Sequence, residues 1–180
     1  MCDYKMVRGY SYKMVSFYNG RSHPHFSKIL RMVRGLKVTV DLNLDAVSCP
    51  GVVLTTKGSL FLELHLFNRI LRSDFHAPIF PLLLHKKLSC SHVFPLVTDP
   101  GKLADHLNRE VVHIRLLQES GLGDQLLAQY RANARDFLFP TPQLTETYPG
   151  VEREIILSRT SVYTGILEPK FEFGYVILYQ

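Results

Sequence analysis

The sequence has no tryptophan, so the bulky filling of a core falls to 11 Phe and 9 Tyr, residues that also favour strands. No apolar run reaches the roughly 18 residues that a membrane-crossing helix needs. The first ten residues, MCDYKMVRGY, lack the apolar stretch of about 7–15 residues of a secretory signal peptide. Cysteines are few: Cys2, Cys49 and Cys90. One pair with one left over makes a poor disulfide framework, which points to reduced thiols in a cytoplasmic chain. Also missing are a Gly-rich phosphate loop, a GxSxG elbow and an HExxH pair, so three common enzyme classes have no footing.

What is present is unevenly charged. The net charge is +5. Residues 1–35 hold seven Lys/Arg against Asp3 alone, while residues 36–180 hold 14 Lys/Arg against 15 Asp/Glu. The basic character therefore belongs to the N-terminal segment, and the rest offers no broad field for nucleic acid. Within that segment Tyr4-Lys5-Met6-Val7 returns as Tyr12-Lys13-Met14-Val15, and Met6-Val7-Arg8-Gly9 as Met32-Val33-Arg34-Gly35, without a helical or strand period. The segment reads as a disordered extension or an atypical first exon. The rival reading is a basic tail that touches an acidic filament or a membrane.

From residue 36 the pattern changes to period two. Leu36, Val38, Val40, Leu42 and Leu44 alternate with Lys37, Thr39, Asp41, Asn43 and Asp45, as in a half-buried antiparallel strand. Cys49-Pro50-Gly51 turns the chain, and Leu60, Leu62, Leu64 and Leu66 then alternate with Glu63 and His65. Residues 68–74 suit an edge strand. Leu84, Leu88 and Cys90 are read as alternating with Lys86, Lys87 and Ser89. Thr98-Asp99-Pro100-Gly101 is a turn that can cap a short helix over 102–108. A strand is expected over about 110–118. Residues 124–135 fit helix or strand, Phe137-Leu138-Phe139 suits a strand, and closing strands are expected at 153–158 and 171–179. Seven or eight short strands, with one or two short helices in the connections, predict an antiparallel β-sandwich over 36–180. Its expected core includes Val38, Val40, Leu42, Leu62, Leu64, Ile114, Leu116 and Phe173.

Candidate chemistry is thin, and we expect no catalytic, cofactor or metal residues. His23 and His25 flank Pro24, and Cys90 and His92 share a strand face at i,i+2, but two ligands are half a zinc site. Cys49 lacks a base partner in sequence. Asp41, Asp45, Asp74 and Asp99 are scattered singly, whereas calcium needs six to eight oxygens, so no calcium dependence is expected. The remaining candidate is a protein contact at Arg135, Asp136, Phe137 and Phe139, since Arg and aromatics are favoured at hot spots. The rival reading for Arg135 and Asp136 is a structural ion pair at the rim of a core strand.

Five segments occur in an order that resembles the N-terminal domain of the spermatogenesis-associated protein 6 family. They are SCPGVVL at 48–54, LFLELHLF at 60–67, Phe94-Pro95-Leu96-Val97 running to Asp99-Pro100-Gly101, NARDFLFP at 133–140, and PKFEF at 169–173. The similarity covers about residues 36–175. Residues 1–35 have no counterpart in it, and the family's long polar C-terminal region is missing, as in a short isoform or a fragment. The resemblance implies a C2-like sandwich and a non-enzymatic structural adaptor of sperm development. It implies action at the sperm neck, in assembly of the connecting piece that couples head to tail, and at the flagellum base. Its implied partners are cytoskeletal or motor-associated proteins, including myosin subunits. The alternative is a calcium-independent C2-like membrane or lipid-binding module, with the basic N-terminal segment as a charge anchor.

Overall fold

Strand β1, Gly35–Ser48, shows what alternation does in space: Val38, Val40, Leu42 and Leu44 are buried, while their odd-numbered neighbours up to Asp45 are not. The chain is described here by a computed structural model that places residues 35–54, 57–140 and 153–180. The expected N-terminal extension lies outside the described residues, apart from Gly35. A bulge at Asp45 shifts the register between Leu44 and Ala46 on both neighbouring strands. One extra residue reverses the facing, so Val47 points inward after an even-numbered run.

The further strands are β2 (Leu60–Leu66), β3 (Arg69–Arg72), β4 (Leu82–Pro95), β5 (Val111–Gln118), β6 (Gln125–Asn133), β7 (Arg153–Ile156), β8 (Ser158–Arg159) and β9 (Lys170–Tyr179). They form two sheets, in order β4-β1-β9-β7 and β3-β2-β5-β6-β8, and every pairing is antiparallel. The predicted β-sandwich is therefore the observed architecture. All eight expected core residues are buried between the sheets. Phe171 and Phe173 of β9 stack at 4.9 Å between ring centres.

Helix α1, Pro100–Leu107, carries the chain from β4 to β5. Asp99 caps it by accepting a hydrogen bond from the Gly101 backbone N–H at 3.0 Å, and Leu103 and Leu107 bury its inner side. Residues 125–133, ambiguous in sequence, form β6.

Two expectations need correction. Phe137-Leu138 is not strand: helix α2 spans Ala134–Leu138. Ala134, Phe137 and Leu138 stand at i, i+3 and i+4, so one helical face buries all three, whereas a strand would send Phe137 and Leu138 to opposite sides. In β4, Lys86 does not face away from Leu84 and Leu88. It shares their inward parity, is half-buried, and extends its amine to Asp74 Oδ1 at 2.6 Å.

Candidate functional site

Helix α2 holds the sequence-predicted contact. Phe137 is 0% exposed and stacks on Phe173 at 5.3 Å, so its ring fills the core and is not offered to a partner. Arg135, Asp136 and Phe139 are exposed. Asp136 Oδ2 accepts from Asn133 Nδ2 at 3.4 Å, and no ion pair joins Arg135 to Asp136 among the described residues. The helix end is held from the sandwich side. Tyr175 Oη donates to the Leu138 carbonyl at 2.9 Å, and Arg153 donates to the Phe137 carbonyl. The Arg153 guanidinium also lies 5.5 Å from the Phe137 ring centre and 5.8 Å from that of Tyr175. These bonds satisfy carbonyls that a helix end leaves open. The result is a fixed platform that presents two charges and one aromatic ring.

The sequence reading missed a second feature, on the outer face of the β3-β2-β5-β6 layer. Glu63 points away from the core, yet its side chain is 0% exposed. Register explains the burial. Arg72, Glu63, Arg115 and Gln129 are successive cross-strand partners and form one lateral row. Arg72 Nε donates to Glu63 Oε2 at 2.7 Å, Arg115 donates to Oε1, and His65 Nε2 lies 2.7 Å from Oε1. Burial pushes the Glu63 carboxyl up, but the hydrogen bonds from Arg115, His65 and Arg72 outweigh it and hold its pKa down to about 2. The signal in sequence was one acid inside LFLELHLF. Arg72 and Arg115 could not be matched to it before the strand pairing was known.

The other singled-out residues are occupied locally. Cys90 is buried and donates to the Leu66 carbonyl at 3.6 Å. His92 packs against Phe94 at 4.6 Å between ring centres. The buried Cys49 thiol donates to the Leu167 carbonyl at 3.5 Å. The Asp41 carboxyl is held below its ordinary range by hydrogen bonds from Lys87 and Ser89. Asp74 pairs with Lys86, and Asp99 caps α1. Among the described residues no three His, Cys, Asp or Glu side chains gather as a metal ion would require. His23 and His25 lie outside the described residues. No helix among the described residues is long and apolar enough to cross a membrane.

A family model described as Spermatogenesis-assoc protein 6 matches residues 40–177. The chain belongs to the spermatogenesis-associated protein 6 family. The rat Spermatogenesis associated 6-like protein is 36% identical over 139 residues, which cover 77% of this chain and 35% of that protein. The human Spermatogenesis associated 6-like protein is 35% identical over 139 residues, covering 77% of this chain and 32% of the relative. The chain thus spans about a third of the length of these curated relatives. Among solved structures, the C2A domain of plant Extended Synaptotagmin 1 is similar with a TM-score of 0.48 and 13% identity, covering 82% of this chain and 96% of that one. The family's match covers the antiparallel β-sandwich described above.

Proposed function

We propose that this family member is a non-catalytic adaptor of sperm development that binds other proteins through its sandwich, in assembly of the connecting piece and flagellum base. Its setting is the cytoplasm of the sperm neck, and its partners are cytoskeletal or motor-associated proteins, myosin subunits among them. Family membership supports the setting. The observation that carries the mode of action is the α2 platform: Arg135, Asp136 and Phe139 exposed on a helix whose Phe137 is locked in the core. Exposed Arg and aromatic groups on a rigid element lose little freedom on binding, which is what a contact anchor requires. The test is Arg135→Glu in a pull-down of cytoskeletal and transport proteins from spermatid extract. Weaker capture with an unchanged melting temperature supports the platform. Full capture removes Arg135 from the contact, and a much lower melting temperature makes it structural.

A second reading, a calcium-independent lipid-binding module, has one observation in its favour. The loop residues 49–54, 57–59, 73–81, 119–124 and 160–169 lie at the same end of the sandwich, because strands β1, β3, β5 and β8 all finish there. They carry Val53, Ile79, Leu122 and Ile166, each more than two-thirds exposed, and Val53 bridges Ile79. Flotation of the domain with vesicles, together with loss of all protein capture, would make this the better reading.

A further inference from the structure

Beside the Glu63 row lies a second lateral row on the same outer face. Ile70 pairs with His65, His65 with His113, and His113 with Arg131. Four side chains from β3, β2, β5 and β6 thus stand side by side, across roughly 14 Å at the usual spacing between strands. The His65 and His113 rings are 5.8 Å apart. This row floors a cavity of about 430 Å³, whose walls add Asn68, Arg69 and Val111 and contain no acid.

The charge here is not neutralised. Glu63, the acid of the neighbouring row, is already bonded by Arg72, Arg115 and His65. Arg69 and Arg131 are exposed and have no carboxylate partner among the described residues. Two guanidiniums without a carboxylate line the same cavity as two imidazoles, whose Nε2 atoms are held by Glu63 and Gln129, and this donor set matches a compact anion with several acceptor oxygens. A phosphomonoester, doubly charged and with three free oxygens, uses such a donor set more fully than a carboxylate does.

We infer that this cavity binds a phosphorylated side chain on an extended segment of a partner protein. The exposed Ile70 of the floor and Val111 of the wall give the residues flanking the phosphate an apolar seat. A membrane fits the observations less well, because residues 36–180 carry 14 basic against 15 acidic residues and the positive charge is local. The inference deepens the adaptor reading and rests on it: it makes at least one partner a phosphoprotein.

The test uses the whole chain and a degenerate library of extended nonapeptides with central phosphoserine, phosphothreonine or phosphotyrosine. Each selected peptide is compared with its unphosphorylated twin by fluorescence anisotropy. We expect the phosphorylated form to bind at least tenfold more tightly. Arg131→Gln and Arg69→Gln should each weaken it about tenfold, and Lys57→Gln, at the opposite end of β2, should not. As a measurement free of any variant, the phosphopeptide should shift the ring-proton resonances of His65 and His113 and leave those of His76 in place. Equal binding of both peptide forms, or tight binding indifferent to Arg69 and Arg131, overturns the inference. So does capture of phosphoinositide vesicles by a chain that ignores every phosphopeptide. Capture from spermatid extract that survives phosphatase treatment sinks this inference and leaves the adaptor reading standing. Loss of all protein capture, before any phosphatase treatment, sinks the adaptor reading itself.

Discussion

Replacing Glu63 with Gln removes the charge while keeping the shape, and so tests the buried row directly. The Glu63 carboxyl has an ordinary value of 4.5 and is held down to about 2 in the fold. A pKa lower in the folded than in the unfolded chain means that the unfolded chain binds more protons between these values. The stabilisation is therefore fully present above about pH 5 and fades as pH falls towards 2. At about 1.4 kcal/mol per pKa unit, the wild-type chain loses about 3 kcal/mol over that window through this one group. In E63Q that slope disappears, because glutamine does not titrate. At pH 7 the variant should be less stable by about 2–4 kcal/mol, as two arginines lose their partner. The lower part of that range is expected, because the side chain of Arg72 is 58% exposed and can turn to water. The assay is urea unfolding of both chains at pH 7, 5, 4, 3 and 2.5, plotted as the difference in stability. A gap that narrows as pH falls is the expected result. Parallel curves, or an E63Q chain as stable as wild type at pH 7, would refute the reasoning.

Two further outcomes follow from the packing. Phe137→Ala empties a site 0% exposed and stacked on Phe173, so urea unfolding should show a loss of about 3–5 kcal/mol; a loss below 1 kcal/mol would mean that α2 is not anchored by this ring. Gly58→Ala would place a methyl group 1.9 Å from the Glu119 carbonyl oxygen, where backbone must move. The melting temperature should fall by several degrees, and an unchanged value would show that the backbone at Gly58 and Glu119 yields freely.

How far the sequence could be read depended on the range of the interaction. Alternation at Leu36–Leu44 and Leu60–Leu66 reports a local property, which face of one strand is apolar, and the sandwich follows from several such strands with turns between them. Asp99 as a cap is local as well. Helix α2 was misread because Phe137-Leu138 is consistent with either period over so short a run. The choice went to the helix because Ala134, Phe137 and Leu138 then share one buried side. Arg135, Asp136 and Phe139 were visible as residues, but nothing local distinguished them from their buried neighbour Phe137.

The sequence by itself determined the strand-rich class, most of the core, the uneven placement of charge and, through the order of its short segments, the family. Each of these depends on neighbours within a few residues or on patterns along the chain. Only the tertiary structure decided which side chains became partners. Glu63 and Arg115 are 52 residues apart, and antiparallel register alone sets them side by side. The same register aligns Ile70, His65, His113 and Arg131 from four strands. A slip of one residue would send either row to the other face. Pairing across strands follows from how the whole sheet settles, and no single stretch of sequence contains it.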